Sequence, residues 1–423
     1  MLSAHVPLLL AAVSQRFEVS AVVLGCLLVL GALASGLERR SVLSLTAVFV
    51  VIGFVLGRGV TGAVHFSPRS GFVSELATVA LVVILFRDGL EVDGELLARH
   101  WSVPLRKLVL AMPITAVVIA LAGRLLVGLS WTESFLLGAL LSPTDPVLSS
   151  SVVTNPRVPP LIRHSLNLES GLNDGLALPA VLTFAAALSA GSGHFVWWRF
   201  VLENLSIGLG VGLVVGLLGS WMMRPRAGLL RGVPAHQKSL YALGVAFAAY
   251  GTAVLIPHGN GLIAVFVAAI TLGIRRPDLR ENFERQAQGL VELVKLGIFV
   301  VFGSLLTLHG LFGDGWAAVA VVAVTLLLAR PVAVFAALAG ARSDGLDMAT
   351  KAFMAWFGPK GVATMTFSLL ILSDRINAGP RIFNLAALTV FCSILVHGLT
   401  DTPGAEWIAR RAARAPSASA SDP

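Results

Sequence analysis

The sequence predicts an all-α polytopic membrane protein with about thirteen transmembrane helices, arranged as two inverted six-helix repeats with crossed, broken helices. Three observations predict it. Of the 423 residues, 56% are hydrophobic and only 13% are charged, whereas soluble domains are ~25% charged; the mean hydropathy is +0.85. Apolar runs of membrane-crossing length recur along the whole chain, divided by short loops that carry Lys and Arg. Prolines, glycines and ionisable residues interrupt two of these runs at corresponding places in the two halves.

The net charge of +8 does not point to nucleic acid, because the basic residues lie in short patches between apolar runs instead of clustering on one domain. Cys26 and Cys392 are far apart in apolar surroundings, which reads as packing and leaves no disulfide framework or metal cluster. The first run follows Arg16 and Glu18 and passes Gly31 without a small-residue cleavage site, so it is expected to be retained as a span.

In chain order the expected spans lie near 19–36, 41–57, 71–90, 104–128, 131–152, 161–190, 197–222, 237–256, 258–274, 286–309, 314–340, 347–373 and 380–399, by the ~20-residue helical rule. An odd number puts the termini on opposite sides. With the N-terminus outside, the inward loops and tail hold roughly twenty Lys/Arg and the outward ones roughly seven. The inward set includes Arg39, Arg40, Arg99, Arg106, Lys107, Arg224, Arg226, Arg231, Arg275, Arg276, Arg280, Arg342, Arg410, Arg411 and Arg414. The expectation is therefore N-outside, C-cytoplasmic, in the plasma (inner) membrane. Two loops, Asp88 to His100 and Arg275 to Gln288, mix charges with Leu or Phe at helical spacing, as interfacial helices or solvated connectors do. Residues 401–423 read as a cytoplasmic tail, amphipathic from Glu406 to Arg414 and otherwise disordered.

Functional expectations centre on Asn167 to Gly175 at the head of the sixth span, where Glu169 and Asp174 are carboxylates inside an apolar segment. Each costs roughly 3 kcal/mol there, and such residues are functional by default. Helical spacing pairs Ser170 with Asp174, so one face offers a carboxylate and a hydroxyl to a small hard cation, and sets Glu169 over Asn173. The fifth span contains Ser142-Pro143-Thr144-Asp145-Pro146 and the twelfth Gly358-Pro359-Lys360-Gly361; both helices should break. Freed N–H ends carry partial positive charge and carbonyl ends partial negative charge. Asp145 would compensate the first and Lys360 the second, while carbonyls near Thr144 offer oxygens to a cation. Arg330, between Leu327-Leu328-Ala329 and Pro331-Val332-Ala333, needs an anion, and Glu169 is the candidate. Glu292 and Lys295 are expected to pair along one helix. His258 and His309 read as interfacial histidines or pH sensors, and Ser149, Ser150 and Ser151 as funnel-lining or carbonyl-satisfying hydroxyls.

Leu85-Phe86-Arg87-Asp88-Gly89-Leu90, Thr144-Asp145-Pro146, Glu169-Ser170 with Asn173-Asp174, Gly259-Asn260-Gly261, Ala329-Arg330 and Gly358-Pro359-Lys360-Gly361 occur in an order that resembles the sodium/proton exchanger family of monovalent cation/proton antiporters, prokaryotic electroneutral type. The likeness runs from about residue 20 to 400. It implies a membrane transporter domain over 1–400, with a core near 71–190 and 286–399 and a dimerisation part from the remaining helices. It also implies a homodimer without cofactor, no nucleic-acid partner, and exchange of one proton for one Na⁺, Li⁺ or K⁺. On the matching positions it makes Asp174 the ion- and proton-binding carboxylate with Asn173, Thr144 and Ser170 contributing, and Glu169 with Arg330 a stabilising ion pair. Many relatives have arginine where Lys360 stands; lysine keeps the charge and loses the planar fork.

Physics gives the same mechanism. A carboxylate taken out of water holds its proton more tightly, and a dehydrated cation competes for it. Asn173 is neutral, so one titrating acid crosses per cycle. The alternatives are a sodium-coupled carrier of a small organic solute, which would want a larger polar or aromatic pocket, and an intramembrane aspartyl protease built on Asp145 and Asp174. No catalytic context accompanies either acid, so the chain is not expected to be an enzyme.

Overall fold

A computed structural model describes residues 25, 29, 45–92, 102–145, 152–153, 155–190, 195–223, 233–256, 259–341, 346–374 and 376–414. Among these residues the secondary structure is entirely helical. Seven helices are long and apolar enough to cross a membrane by length and composition, and four more are shorter and apolar.

The helices follow the spacing of the apolar runs. α1 spans Leu45–Leu56, α2 Gly71–Glu91, α3 Ser102–Leu126, α4 Trp131–Leu141, α5 Pro160–Ser189, α6 Trp197–Met222, α7 Ala235–Leu255 and α8 Gly261–Arg275. The second half has α9 Pro277–Gln286, α10 Gln288–Leu305, α11 Gly315–Ala337, α12 Met348–Trp356, α13 Val362–Ser373 and α14 Gly379–Arg414. Starts coincide with capping residues whose side chains take up orphan amides. Ser70 accepts from Val73 N before α2, Asn260 from Ile263 N before α8 (3.0 Å) and Asp347 from Thr350 N before α12 (2.8 Å). Ser130 and Glu133 form a reciprocal capping box at α4.

Packing divides the helices into layers. α6 lies on α8, α8 on α2, α1 on α10, α3 on α4, and α13 on both α2 and α14. Gly208, Gly212 and Gly216 of α6 recur every fourth residue against Ile263, Ala264 and Ala268 of α8, and a Cβ on Gly212 or Gly216 would run into backbone oxygen. This small-residue stripe is how membrane helices approach closely. The opposite face of α6 turns Leu202, Leu209, Leu213 and Trp221 outward, as lipid or a partner helix demands.

Several expectations change. The first span apart from Gly25 and Val29, together with Cys26, His258, Pro146, Ser149, Ser150 and Ser151, lies outside the described residues. The fifth and twelfth spans are interrupted, after Leu141 and between Trp356 and Val362. The segment 275–288 is largely helical as α9, with Leu279 and Phe283 buried. Asp88 belongs to α2 and is buried, so the loop begins later than expected. The tail is not disordered up to Arg414. α14 runs on through Pro403, because Ala405 and Ile408 are buried, Trp407 stacks on Phe353 and Arg411 pairs with Asp347 at 2.9 Å. Tertiary contacts outweigh the donor that the proline removes. Residues 415–423 are outside the described part.

Candidate functional site

Pro143 cannot continue α4, and the carbonyls at its C-terminal end are left without helical partners. Side chains satisfy them. Ser142 Oγ donates to the carbonyl of Ala139 (3.1 Å) and Thr364 Oγ1, from α13, to that of Leu140 (3.0 Å). Lys360 Nζ donates to Ser142 O (3.3 Å) and Pro143 O (3.1 Å). Lys360 is 1% exposed, so its charge meets the negative end of the interrupted helix in a dry setting.

The second interruption is capped by the first in return. Val362 N, at the start of α13, donates to Asp145 Oδ2 (3.2 Å), and Asp145 N donates to Pro359 O (2.8 Å). Arg330 donates to Phe357 O (3.1 Å), and Lys360 N donates to Ser393 Oγ (2.8 Å) on α14. Gly358 and Gly361 are needed for this approach: a Cβ on the first would enter the Arg330 guanidinium and on the second the Asp145 carboxyl. Asp145 thus meets an N–H end and Lys360 carbonyl ends, each charge serving the other interrupted helix.

α5 threads its polar run beside this crossing. Asn173 Nδ2 donates to Thr144 O (2.7 Å) and Thr144 Oγ1 (3.0 Å). Arg330 NH1 and NH2 donate to Glu169 Oε1 (2.7 Å) and Oε2 (3.1 Å). Lys107 of α3 forms a second ion pair with Glu169 and lies 3.4 Å from Ser165 Oγ. Lys107 was counted among the cytoplasmic loop charges; it is 1% exposed and inside the protein. It opens a π-helical turn, Lys107–Ala111, and a matching turn, Val324–Ala329, immediately precedes Arg330. Such turns gather at functional sites. Here they flank both cations on Glu169.

Asp174 is 7% exposed, on the same helix as Glu169, Ser170 and Asn173. The charges around it are Asp88, Asp145, Arg87 and Lys360. Asp88 takes two hydrogen bonds from Arg87 (2.9 and 2.6 Å), which also reaches Glu91 at 3.3 Å. Among the described residues no ion pair joins Glu292 to Lys295; Lys295 faces Asp145, Asp88 and Glu91 instead, and Glu292 is exposed. Ser170 stands one turn before Asp174, half-buried. Sequence reasoning missed Lys107, Asp88 and Lys295. Lys107 and Asp88 lie near span ends, where charges read as interfacial, and the i, i+3 spacing pairs Lys295, inside α10, with Glu292 instead. His309 is exposed in a short helical turn.

An all-helical membrane chain whose two interrupted helices cap one another beside a buried carboxylate falls in the class of polytopic membrane transport proteins. The chain belongs to the transmembrane sodium/hydrogen exchanger family, whose sequence model matches residues 6–407. It is 25% identical over 399 residues to the K(+)/H(+) antiporter NhaP of Alkalimonas amylolytica, covering 93% of this chain and 67% of that one. It is 24% identical over 374 residues to the K(+)/H(+) antiporter NhaP2 of Shewanella oneidensis, covering 88% and 64%. The chain therefore spans about two thirds of the length of these relatives. Its fold is that of the sodium proton antiporter MjNhaP1 from Methanocaldococcus jannaschii, with a TM-score of 0.79 over 93% of this chain and 99% of that one, at 18% identity.

Proposed function

We infer that the protein is a secondary active antiporter that exchanges H⁺ for a monovalent cation by alternating access, with a 1:1 stoichiometry. The observation that carries this reading is the burial of Asp174 beside two interrupted helices whose stray backbone groups are capped by side chains. Removal from water strengthens a carboxyl group's hold on a proton, and a dehydrated cation contests the same oxygens. Occupancy by one excludes the other. Asp174 is the contested group; Ser170 on its face and Thr144 at the break are the remaining oxygens assigned to the cation. Asn173 holds the Thr144 carbonyl (2.7 Å), and since a carbonyl oxygen has a second lone pair this bond leaves it able to meet a cation. The Glu169–Arg330–Lys107 cluster fixes α5 against α3 and α11 and carries no cargo.

The cation is Na⁺ or K⁺ on equal footing, since the similar proteins are named for either. The paired π-turns in α3 and α11 and the paired interruptions support two inverted repeats, because in a thirteen-span count they fall seven spans apart. Two copies associating through helices outside the core, with the N-terminus outside, complete the reading.

The test is exchange in proteoliposomes holding the full chain. An outward-directed proton gradient is set up, and dequenching of an internal pH dye is followed after adding Na⁺, Li⁺ or K⁺. Asp174→Asn is expected to abolish the signal for every cation, and sustained exchange by that variant would overturn the assignment. Unequal charge movement, read with a voltage-sensitive dye, would overturn the 1:1 stoichiometry.

A further inference from the structure

Lys360 is held at two ends. Its ammonium caps α4, while two α14 side chains outside the ion site hold the backbone around it, Ser393 at the Lys360 N–H and His397 at the Trp356 carbonyl. Ser393 and His397 stand one helical turn apart on α14 and are 0% and 2% exposed. Lys360 N donates to Ser393 Oγ (2.8 Å). His397 Nε2 lies 3.0 Å from the Trp356 carbonyl, and Nδ1 lies 3.2 Å from Ser393 Oγ and 2.9 Å from the Ser393 carbonyl. The indole of Trp356 packs beside the imidazole, with ring centroids 5.5 Å apart, and donates to Thr400 Oγ1 (3.0 Å).

The hydrogens follow from chemistry. A carbonyl only accepts, so Nε2 carries a hydrogen toward Trp356. Ser393 Oγ accepts from Lys360 and has one hydrogen of its own to give, and Nδ1 is the acceptor in reach. In the neutral ring the Ser393 hydroxyl supplies the hydrogen bond to Nδ1, and the Ser393 carbonyl, 2.9 Å from Nδ1, receives a hydrogen from the ring only when Nδ1 is protonated as well. A relay runs from Lys360 N–H through Ser393 and His397 to the Trp356 carbonyl, and it closes a bracket across the unwound residues 357–360.

We propose that Ser393 and His397 are positioning residues for Lys360 in the exchange reaction, holding the interruption in place through a neutral imidazole and loosening it when the ring takes up a second proton. This rests on the antiport reading above. With both nitrogens protonated, Nδ1–H turns to the Ser393 carbonyl and the Ser393 hydroxyl loses the acceptor for its hydrogen. A buried donor without an acceptor is disfavoured, so the hydroxyl rotates and its hold on Lys360 N–H weakens. The Lys360 ammonium then leaves its place over the Ser142 and Pro143 carbonyls. Charged groups facing the ring are Lys360 from the interruption and Arg330 from α11, with Asp401 one turn on along α14. Histidine is the side chain suited to such control near neutral pH.

The experiment measures maximal exchange rates in proteoliposomes at saturating cation, where protons no longer compete for Asp174, across about pH 5 to about pH 8. The readout is the ratio of the acid-side to the alkaline-side rate. His397→Asn places a non-titrating acceptor where Nδ1 stands, and His397→Gln a non-titrating donor where Nε2 stands. Each is expected to raise the ratio at least about threefold over the wild type, the size of change a histidine crossing its titration range produces. Ser393→Ala is expected to lower the rate throughout and flatten the profile, and Ser393→Thr to restore both. A histidine variant whose ratio matches that of the wild type overturns the proposal, as does a Ser393→Thr that restores nothing. If neither histidine variant folds, the shape of the Ser393→Ala profile decides alone, and a wild-type shape overturns it. Wild-type protein that exchanges no cation at all sinks the antiport reading, an outcome distinct from a functioning exchanger with an unchanged ratio.

Discussion

At the level of single residues, Glu169 is paired with two buried cations at once, Lys107 and Arg330. Breaking a buried pair from one side leaves an uncompensated charge and costs roughly 3–5 kcal/mol. Glu169→Gln strands two cations and is expected to lower the melting temperature in detergent more than Lys107→Met, which leaves Arg330 in place; the reverse order would show that Lys107 is the anchor. Arg330 was legible in the sequence because apolar residues flank it on both sides. Lys107 was not: it follows Arg106 at the start of a span, and only the π-turn and the packing of α3 on α5 draw it inward. Outside the spans, the Arg276 guanidinium bonds both Asp278 oxygens (2.8 and 2.7 Å) and holds that carboxyl below the usual range. A depressed acid adds stability above its unfolded value of ~3.9 and loses it as pH falls through the folded one. The protection factors of α9 amides, which are exchange rates corrected for the intrinsic pH dependence, should therefore stay constant from neutrality down to about pH 4 and fall below it, and Asp278→Asn should remove that acid-side change.

Among the elements, the interruptions were readable from Pro143, Pro146 and Pro359, because a missing N–H and the ring's clash with a preceding carbonyl disfavour continuing the helix. The partner that repairs each break was not readable, since it arrives from a helix about 220 positions away in the chain. Pro403 is the counterexample: the same chemistry sits inside a continuous α14 because its flanks are packed. Two substitutions probe the repair. Gly358→Ala would drive a methyl group into the Arg330 guanidinium, and is expected to abolish exchange while leaving the protein extractable. Thr364→Val removes one hydrogen bond from the Leu140 carbonyl, costs about 1 kcal/mol and should slow exchange only modestly. A larger loss from the valine than from the alanine would reverse the ranking of the two contacts.

For the molecule as a whole, twelve of the expected runs coincide with described helices or helix pairs, because span length and apolar content alone set those positions. Which helices pack together was hidden, as with the Gly208, Gly212 and Gly216 stripe on α8. Gly212→Val should separate α6 from α8 and destabilise the protein by about 1–3 kcal/mol, read as a lower melting temperature in detergent.

The reciprocal capping has a mechanical corollary. Lys360 cannot retreat without stripping the end of α4, and Asp145 cannot retreat without stripping the start of α13. While both caps hold, neither half-helix can swing as a separate door. Under the alternating-access reading proposed above, opening the site to one aqueous side and then the other has to shift the crossing bodily, like a shuttle in its track, with the sliding surfaces where apolar side chains touch without directional bonds.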